Sequence, residues 1–201
     1  MSARNGYAAL VRQRAEGKTK RRRLDDYETP GNVTRRLTRF VKLKGPIFEC
    51  ACGSGRMARE LRTETGLKVT GSDIKEGADF LARTKPWNGD IVTNPPYRDG
   101  LAERFVRHAL KLASGRVCML MQSGFIWGDK RASGLYAEAR PDRIIVIPER
   151  VYFFEAGKPI ESQFFSHAWL CWPDRRTRER GGYDCPTIWA ENDEMDDELD
   201  F

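Results

Sequence analysis

The sequence predicts an α/β fold in which a mostly parallel β-sheet is covered by helices on both faces. Short apolar segments alternate with segments whose apolar residues recur every three or four positions, a pattern typical of βαβ units. A glycine-rich turn joins the first predicted strand to the helix that follows it. The chain has 201 residues, 40% of them hydrophobic, which is enough to bury a core of ordinary size.

Apolar runs and helical periodicity place the individual elements. The first helix is predicted by four apolar residues at helical spacing: Val33, Leu37, Phe40 and Val41. A second helix begins near Met57 and is ended by Gly66, and a third covers about 100–114. The strands are predicted at 46–51, 67–73, 90–93, 117–121, 143–147 and 165–172.

Charge divides the chain into three parts. Residues 1–44 hold 13 Lys/Arg against 4 Asp/Glu, whereas 190–201 hold 7 acidic residues and no basic one. We therefore expect a basic flexible arm over 1–24, a folded domain over 25–175 and a polar extension with an acidic tail over 176–201. A basic arm favours a polyanionic partner such as nucleic acid, and the alternative is a solvated tail that promotes solubility.

Several classes of protein are excluded or disfavoured. No apolar run approaches the length of about 18 residues that a membrane-spanning helix needs, and the N-terminus lacks the apolar run of a secretory signal. The five cysteines are irregularly spaced and suggest neither a disulfide framework nor a metal site. We expect a cytoplasmic protein without metal or membrane association, in which Cys50 and Cys52 are buried small residues.

The first motif that carries chemistry is the loop Glu49–Gly55, between a predicted strand and a helix. Its glycines let the backbone turn sharply and approach a ligand closely. Asp73 ends the next predicted strand, 18 residues after Gly55, where an acid can accept hydrogen bonds from the ribose hydroxyls of an adenosine cofactor. The alternative is an ordinary tight strand–helix turn.

The second motif is Asn94-Pro95-Pro96-Tyr97, at the carboxyl end of a predicted strand. The Asn94 side-chain oxygen and the Pro95 carbonyl can accept the two hydrogens of an exocyclic amine, which makes its nitrogen more nucleophilic. Consecutive prolines fix the backbone and aim that carbonyl in advance. Tyr97 can stack on a planar group. The alternative is a rigid proline turn capped by an aromatic residue.

Together these motifs resemble the class I S-adenosylmethionine-dependent amino-methyltransferases. More narrowly, the chain is similar to the compact adenine-N6 DNA methyltransferases of phages and prophages over about residues 27–173. The resemblance rests on the Glu49–Gly55 loop, Ser72-Asp73, Asp79-Phe80 and Asn94–Tyr97, with Tyr27-Glu28-Thr29-Pro30 upstream. It implies a Rossmann-like fold with a mostly parallel seven-stranded sheet and S-adenosylmethionine as cofactor.

The resemblance also implies a role for each matching residue. The catalytic residues would be Asn94, Pro95, Pro96 and Tyr97, with Tyr97 stacking on the target base. Asp73 would hold the ribose, Asp79 would contact the cofactor's adenine amino group, and Phe80 would pack beside that ring. The cofactor would be bound by Tyr27, Thr29, Pro30, Glu49, Ala51, Cys52, Gly53, Gly55, Asp73, Ile74, Asp79, Phe80 and Asn94.

The expected reaction is methylation of the adenine exocyclic amine in DNA. The expected contacts to nucleic acid are Lys20, Arg21, Arg22, Arg23, Arg98, Lys130 and Arg131. The motif Asn94–Tyr97 is shared by enzymes that act on RNA adenine or on protein glutamine, so these remain alternative substrates. A further alternative is a non-catalytic protein that binds the cofactor or DNA.

Overall fold

The computed structural model describes residues 28–155, 158–159 and 166–190. The predicted basic arm, including Lys20–Arg23, lies outside the described residues, as do Tyr27 and the acidic tail. The strands are β1 (Ile47–Glu49), β2 (Val69–Gly71), β3 (Asp90–Thr93), β4 (Val117–Gln122), β5 (Arg143–Ile147), β6 (Phe154–Glu155), β7 (Lys158–Pro159), β8 (His167–Trp172) and β9 (Thr187–Trp189). The helices are α1 (Gly31–Phe40), α2 (Arg56–Thr65), α3 (Leu101–Leu112), α4 (Asp129–Ser133), α5 (Leu135–Glu138) and α6 (Arg175–Arg180).

Seven strands form the central sheet in the order β2-β1-β3-β4-β8-β5-β9, and β6 pairs with β7 in a separate hairpin. Only β8 runs antiparallel to its neighbours in the central sheet, β4 and β5. The predicted mostly parallel, seven-stranded sheet is confirmed. The strands β1 to β5 all end at one side, which we call the carboxyl edge and define by Glu49, Gly71, Thr93, Gln122 and Ile147.

Helices cover both faces of the sheet, as predicted, because neighbouring strand residues point to opposite sides. Ile91 and Val92 are both fully buried, yet they belong to two different core clusters. One cluster contains Leu37 of α1 and Leu61 of α2. The other contains Phe105 of α3. The alternation of apolar side chains therefore builds a three-layered core.

All six strands that apolar runs place in the sequence are present, whereas no apolar run marks the seventh strand, β9. It pairs in parallel with β5 and lies in the segment for which the sequence predicted a polar extension. Its central residue, Ile188, is half-buried, and its two neighbours, Thr187 and Trp189, are exposed. A three-residue strand at the margin of a sheet buries too little apolar surface to leave a periodic signal.

Asp90 joins three chain segments at the amino end of the sheet. Its buried carboxylate accepts hydrogen bonds from the backbone N–H groups of Lys44 at 2.8 Å, Gly45 at 3.2 Å and Arg116 at 2.7 Å. A cavity of about 340 Å³ opens beside it, at the side of the sheet opposite to the carboxyl edge. In the described part of the chain, no helix has the length and apolar character needed to cross a membrane.

Candidate active site

The carboxyl edge brings the predicted motifs together. The loop Glu49–Gly55 follows β1, Asp73 follows β2 by two residues, and Asn94 follows β3 directly. Because β2, β1 and β3 are consecutive in the sheet, these three segments are neighbours. Ligands of open α/β sheets bind at this edge of the strands.

Asp73 fixes the shape of the glycine loop. Its carboxylate is 8% exposed and accepts a hydrogen bond from the Gly53 N–H at 2.9 Å, while its second oxygen accepts one from the Lys75 N–H at 2.9 Å. Gly53 and Gly55 have φ values of +50° and +79°, which side chains of L-residues rarely allow. One carboxylate therefore joins the loops after β1 and β2.

Glu49 is a buried acid at the start of this loop. Burial, opposed in part by a hydrogen bond from the Ala58 backbone and reinforced by the charge of Asp73, raises the pKa of Glu49 from 4.5 to about 8. Its Oε2 atom is buried and has no hydrogen-bond partner. An unsatisfied polar atom in a glycine-rich loop is energetically costly and is the kind of feature that a ligand could relieve.

Asn94 lies in a network that links two distant parts of the sequence. Its Nδ2 donates to the Thr29 hydroxyl at 3.2 Å, and its Oδ1 accepts from the Tyr97 hydroxyl. That hydroxyl also lies 3.1 Å from the Leu120 carbonyl, although it has only one proton to donate. The amide oxygen expected to accept a substrate amine is therefore bonded to Tyr97 in this structure.

The upstream segment is held at the carboxyl edge by backbone pairing. Glu28 and Phe154 exchange N–H···O hydrogen bonds of 2.8 and 3.1 Å. The guanidinium of Arg56, at the start of α2, lies 4.5 Å from the centre of the Phe154 ring. These contacts place Thr29 where Asn94 can reach it.

His167 lies beside the Tyr97 ring, and Phe153 packs on His167 in turn. The His167 ring, at the amino end of β8, lies 6.0 Å from the Tyr97 ring and 5.0 Å from that of Phe153. Both His167 and Phe153 are 2% exposed. The sequence alone does not place either residue in the site, because their contacts join segments about 55 to 70 residues distant from Tyr97. Only the position of His167 at the start of an apolar strand could have suggested this location.

Asp79 and Phe80, two further predicted cofactor residues, make contacts within the chain. The Asp79 carboxylate accepts a hydrogen bond from the Leu81 N–H at 2.9 Å. Phe80 is 3% exposed and packs against Phe105 and His108, each with a centroid distance of 5.0 Å. Four more residues of the predicted set are half-buried: Pro30, Ala51, Cys52 and Ile74. Their contacts to a cofactor stay predictions.

The predicted nucleic-acid contacts differ in environment. Arg98 is half-buried directly after Tyr97, and Lys130 is exposed on α4. The Arg131 guanidinium instead donates to the carbonyls of Phe125 at 2.8 Å and Gly124 at 3.2 Å. The turn leaves these carbonyl groups unpaired, and the Arg131 guanidinium supplies the donors that they need. Arg131 therefore donates within its own loop.

The cysteines carry no reactive or metal-binding arrangement in the described residues. Cys50 is buried, and Cys52 is half-buried with a pKa that burial raises to about 11. Among the residues that the structure describes, no group of three or more His, Cys, Asp or Glu side chains could hold a metal ion. The thiols of Cys50 and Cys52 stay protonated near neutral pH, because burial raises the pKa of both.

No protein-family model and no curated protein sequence matches this chain significantly. Solved methyltransferase structures are nevertheless similar in fold. The methyltransferase subunit of a type I restriction-modification system from Streptococcus thermophilus has a TM-score of 0.55 and 16% identity, covering 78% of this chain and 46% of that chain. A protein named as an RNA methyltransferase from Pyrococcus horikoshii has a TM-score of 0.55 and 11% identity, covering 83% and 96%. A dimethyladenosine transferase from Plasmodium falciparum has a TM-score of 0.50 and 11% identity, covering 78% and 65%.

These similarities define the class of fold. The chain has the Rossmann-like α/β fold of methyltransferases, as the sequence predicted. It spans less than half the length of the Streptococcus thermophilus subunit.

Proposed function

We propose that the chain is an S-adenosylmethionine-dependent methyltransferase that methylates the exocyclic N6 amine of adenine in DNA. The observation that carries the proposal is the network of Thr29, Asn94 and Tyr97 at the carboxyl edge, next to the glycine loop that Asp73 fixes. The fold supports the class of reaction. The named residues support its chemistry.

The residues present fit the cofactor. The unpartnered Oε2 of Glu49 lies in the loop that would receive it, and a cationic ligand there would favour the ionised carboxylate. Each oxygen of Asp73 accepts one backbone N–H and retains capacity to accept a ribose hydroxyl. When bound, the cofactor supplies an electrophilic methyl group on a positively charged sulfur.

Asn94 and the proline turn would prepare the acceptor amine. The Asn94 Oδ1 and the Pro95 carbonyl each accept one amine hydrogen, so the nitrogen lone pair is turned towards the methyl carbon. With the cofactor bound, these two oxygens would hold the nitrogen in line with the methyl group that the cofactor supplies. As the nitrogen gained that methyl group and the sulfur kept the electron pair of the broken bond, the amine proton would pass to solvent water. Pro95 and Pro96 are buried, so positioning by a rigid turn carries much of the catalysis.

Tyr97 has two roles in this proposal. Before substrate binds, its hydroxyl satisfies Asn94 Oδ1, and the arriving amine takes that position. The Tyr97 ring then stacks on the base, and the neighbouring His167 ring holds it in place. In duplex DNA the adenine must leave the helical stack to reach this site.

The identity of the molecule that receives the methyl group is the more specific part of the proposal. The basic composition of residues 1–44 supports a nucleic acid, whose phosphates favour Lys and Arg. The upstream element Tyr27–Pro30 resembles that of DNA enzymes. RNA adenine is the second candidate, supported by the names of the Pyrococcus horikoshii and Plasmodium falciparum proteins.

The test is a methyl-transfer assay with cofactor labelled in its methyl group. DNA, RNA of the same sequence and a protein mixture are supplied separately, and modified nucleosides are identified by mass spectrometry. We expect N6-methyladenine in DNA with the wild-type chain and with the control Asn88→Ala, an exposed asparagine at the other end of the sheet. Label only in RNA or only in protein would overturn the DNA assignment.

A further inference from the structure

A single exposed indole stands on the loop after β4. Trp127 is 69% exposed and belongs to what we call the Trp127 loop, residues 123–128. This loop starts at the carboxyl edge directly after β4, the neighbour of β3 in the sheet. The Tyr97 hydroxyl lies 3.1 Å from the Leu120 carbonyl in the same strand. Trp127 is therefore carried by the strand that contacts the candidate catalytic motif.

The sheet order places Trp127 on the side expected for substrate. The glycine loop and Asp73 follow β1 and β2, on one side of β3, whereas the Trp127 loop follows β4 on the other side. A cofactor held by the first two loops leaves the β4 side open to the acceptor molecule. Trp127 would meet that molecule beside Tyr97.

The loop is held in one shape by Arg131. Its guanidinium donates to the carbonyls of Phe125, Gly124 and Trp127 and lies 4.8 Å from the centre of the Phe125 ring. The Tyr136 hydroxyl donates to the Phe125 carbonyl at 2.9 Å. An exposed ring on a loop that is already ordered loses little conformational entropy when it binds.

Glycine at position 128 is required by this arrangement. Gly128 has a φ of +122°, and a Cβ atom there would lie 3.2 Å from a guanidinium nitrogen of Arg131. Any larger residue would strain the backbone and crowd the group that holds the loop. Gly128 therefore allows the loop conformation in which Trp127 is held in an exposed position.

The surroundings of Trp127 fit a nucleobase better than a protein surface. The exposed residues near Trp127 are Gly124, Gly128, Asp129 and Lys130, which are small or charged, whereas Phe125 and Ile126 are half-buried. A protein partner docks on a continuous apolar patch, whereas a nucleobase needs only one flat ring on which to stack. Lys130 adds a cation that can lie near the phosphates.

We propose that Trp127 stacks on a nucleobase that neighbours the target adenine, and that Arg131 is a positioning residue for this contact. The inference rests on the proposed function, because it takes a nucleic acid as the partner. It adds a second aromatic contact to that of Tyr97. The target adenine on Tyr97 and one neighbouring base on Trp127 would together hold the strand next to the reacting amine.

The experiment measures the affinity of the full chain for end-labelled single-stranded DNA and RNA of one mixed sequence, by fluorescence anisotropy. Trp127→Ala should weaken binding about 5- to 150-fold, the range that loss of one base–aromatic stack gives, and Trp127→Phe should weaken it less. Trp189→Ala is the matched control, because Trp189 is 64% exposed on β9, the outermost strand. It should change affinity less than about twofold, a shift too small to represent a lost stack.

Arg131 is tested by combining substitutions. If it acts by holding Trp127, Arg131→Met should weaken binding in the wild-type chain but not in the Trp127→Ala chain, because the two losses are then not additive. If its charge contacts phosphate directly, the losses add. Additive losses would overturn the positioning role.

The outcomes separate this inference from the function on which it rests. Wild-type affinity in Trp127→Ala, with DNA methylation retained, would overturn the stacking contact and leave the proposed function standing. A wild-type chain that neither binds nor methylates DNA, but binds RNA with the same loss in Trp127→Ala, would overturn the DNA assignment and support the stacking. Equal losses in Trp127→Ala and Trp189→Ala would overturn the stacking for either nucleic acid.

Discussion

Replacing Glu49 by glutamine should change how the stability of the protein depends on pH. Burial raises the pKa of Glu49 from 4.5 in the unfolded chain to about 8 in the folded chain, so the folded state holds a proton that the unfolded state has released. Stability is therefore lost as the pH rises from 4.5 to about 8. Glutamine cannot ionise, and its side-chain oxygen can still accept the hydrogen bond from Ala58.

The magnitude follows from the two pKa values. One pH unit of difference is worth about 1.4 kcal/mol, so the full difference corresponds to at most about 5 kcal/mol. Between pH 5 and pH 9, wild type should lose up to about 4 kcal/mol more than Glu49→Gln. The absolute stability of the variant can shift for other reasons, such as the new amide group, but this shift does not depend on pH.

The assay is urea denaturation at several pH values from 5 to 9, followed by circular dichroism. Glu64→Gln, an exposed glutamate on α2, is the matched control and should retain the wild-type pH dependence. The reasoning is refuted if Glu49→Gln and wild type lose the same stability over this range. Saturating cofactor should reduce the wild-type loss, because a bound cation favours ionised Glu49.

Two further substitutions test the sheet and the site. Asp90→Ala removes the acceptor of three backbone N–H groups and should lower the free energy of unfolding by at least about 3 kcal/mol in urea denaturation. The control Asp184→Ala alters an exposed carboxylate and should cost far less; equal costs would mean that Asp90 is not needed to join its segments. Tyr97→Phe keeps the stacking ring and frees Asn94 Oδ1, so in steady-state assays it should retain methyl transfer with an equal or lower KM for DNA. A Phe variant without activity would instead assign the hydroxyl a part in the chemistry.

The sequence predicted the central strands because buried strands leave a strong signal. Val117–Met121 is a continuous apolar run and forms most of β4. Strand β9 was missed because only Ile188 in it is half-buried, whereas the strands of the core bury nearly every residue. Local composition therefore predicts the strands that are buried in the core and misses a short, mostly exposed strand at the margin of the sheet.

The structure joins some of the predicted site residues and adds contacts that the sequence does not indicate. The motifs indicated that Thr29 and Asn94 belong together, and the structure joins them by a hydrogen bond. No sequence pattern could show that the Tyr97 hydroxyl bonds to Asn94, because that depends on a side-chain rotation. Nor could a charge count show that Arg131 donates to the carbonyls of its own loop.

The role of Asn94 can be measured directly by comparing two properties of Asn94→Ala. The first is the dissociation constant for S-adenosylmethionine, measured by calorimetry, and the second is the rate of a single turnover on DNA. We expect the rate to fall by at least about a hundredfold while cofactor affinity stays within a few-fold of wild type, because Asn94 acts on the acceptor amine and is one of many expected cofactor contacts. Equal loss of both properties, or transfer at the wild-type rate, would contradict the assignment of this edge of the sheet as the site of amine methylation.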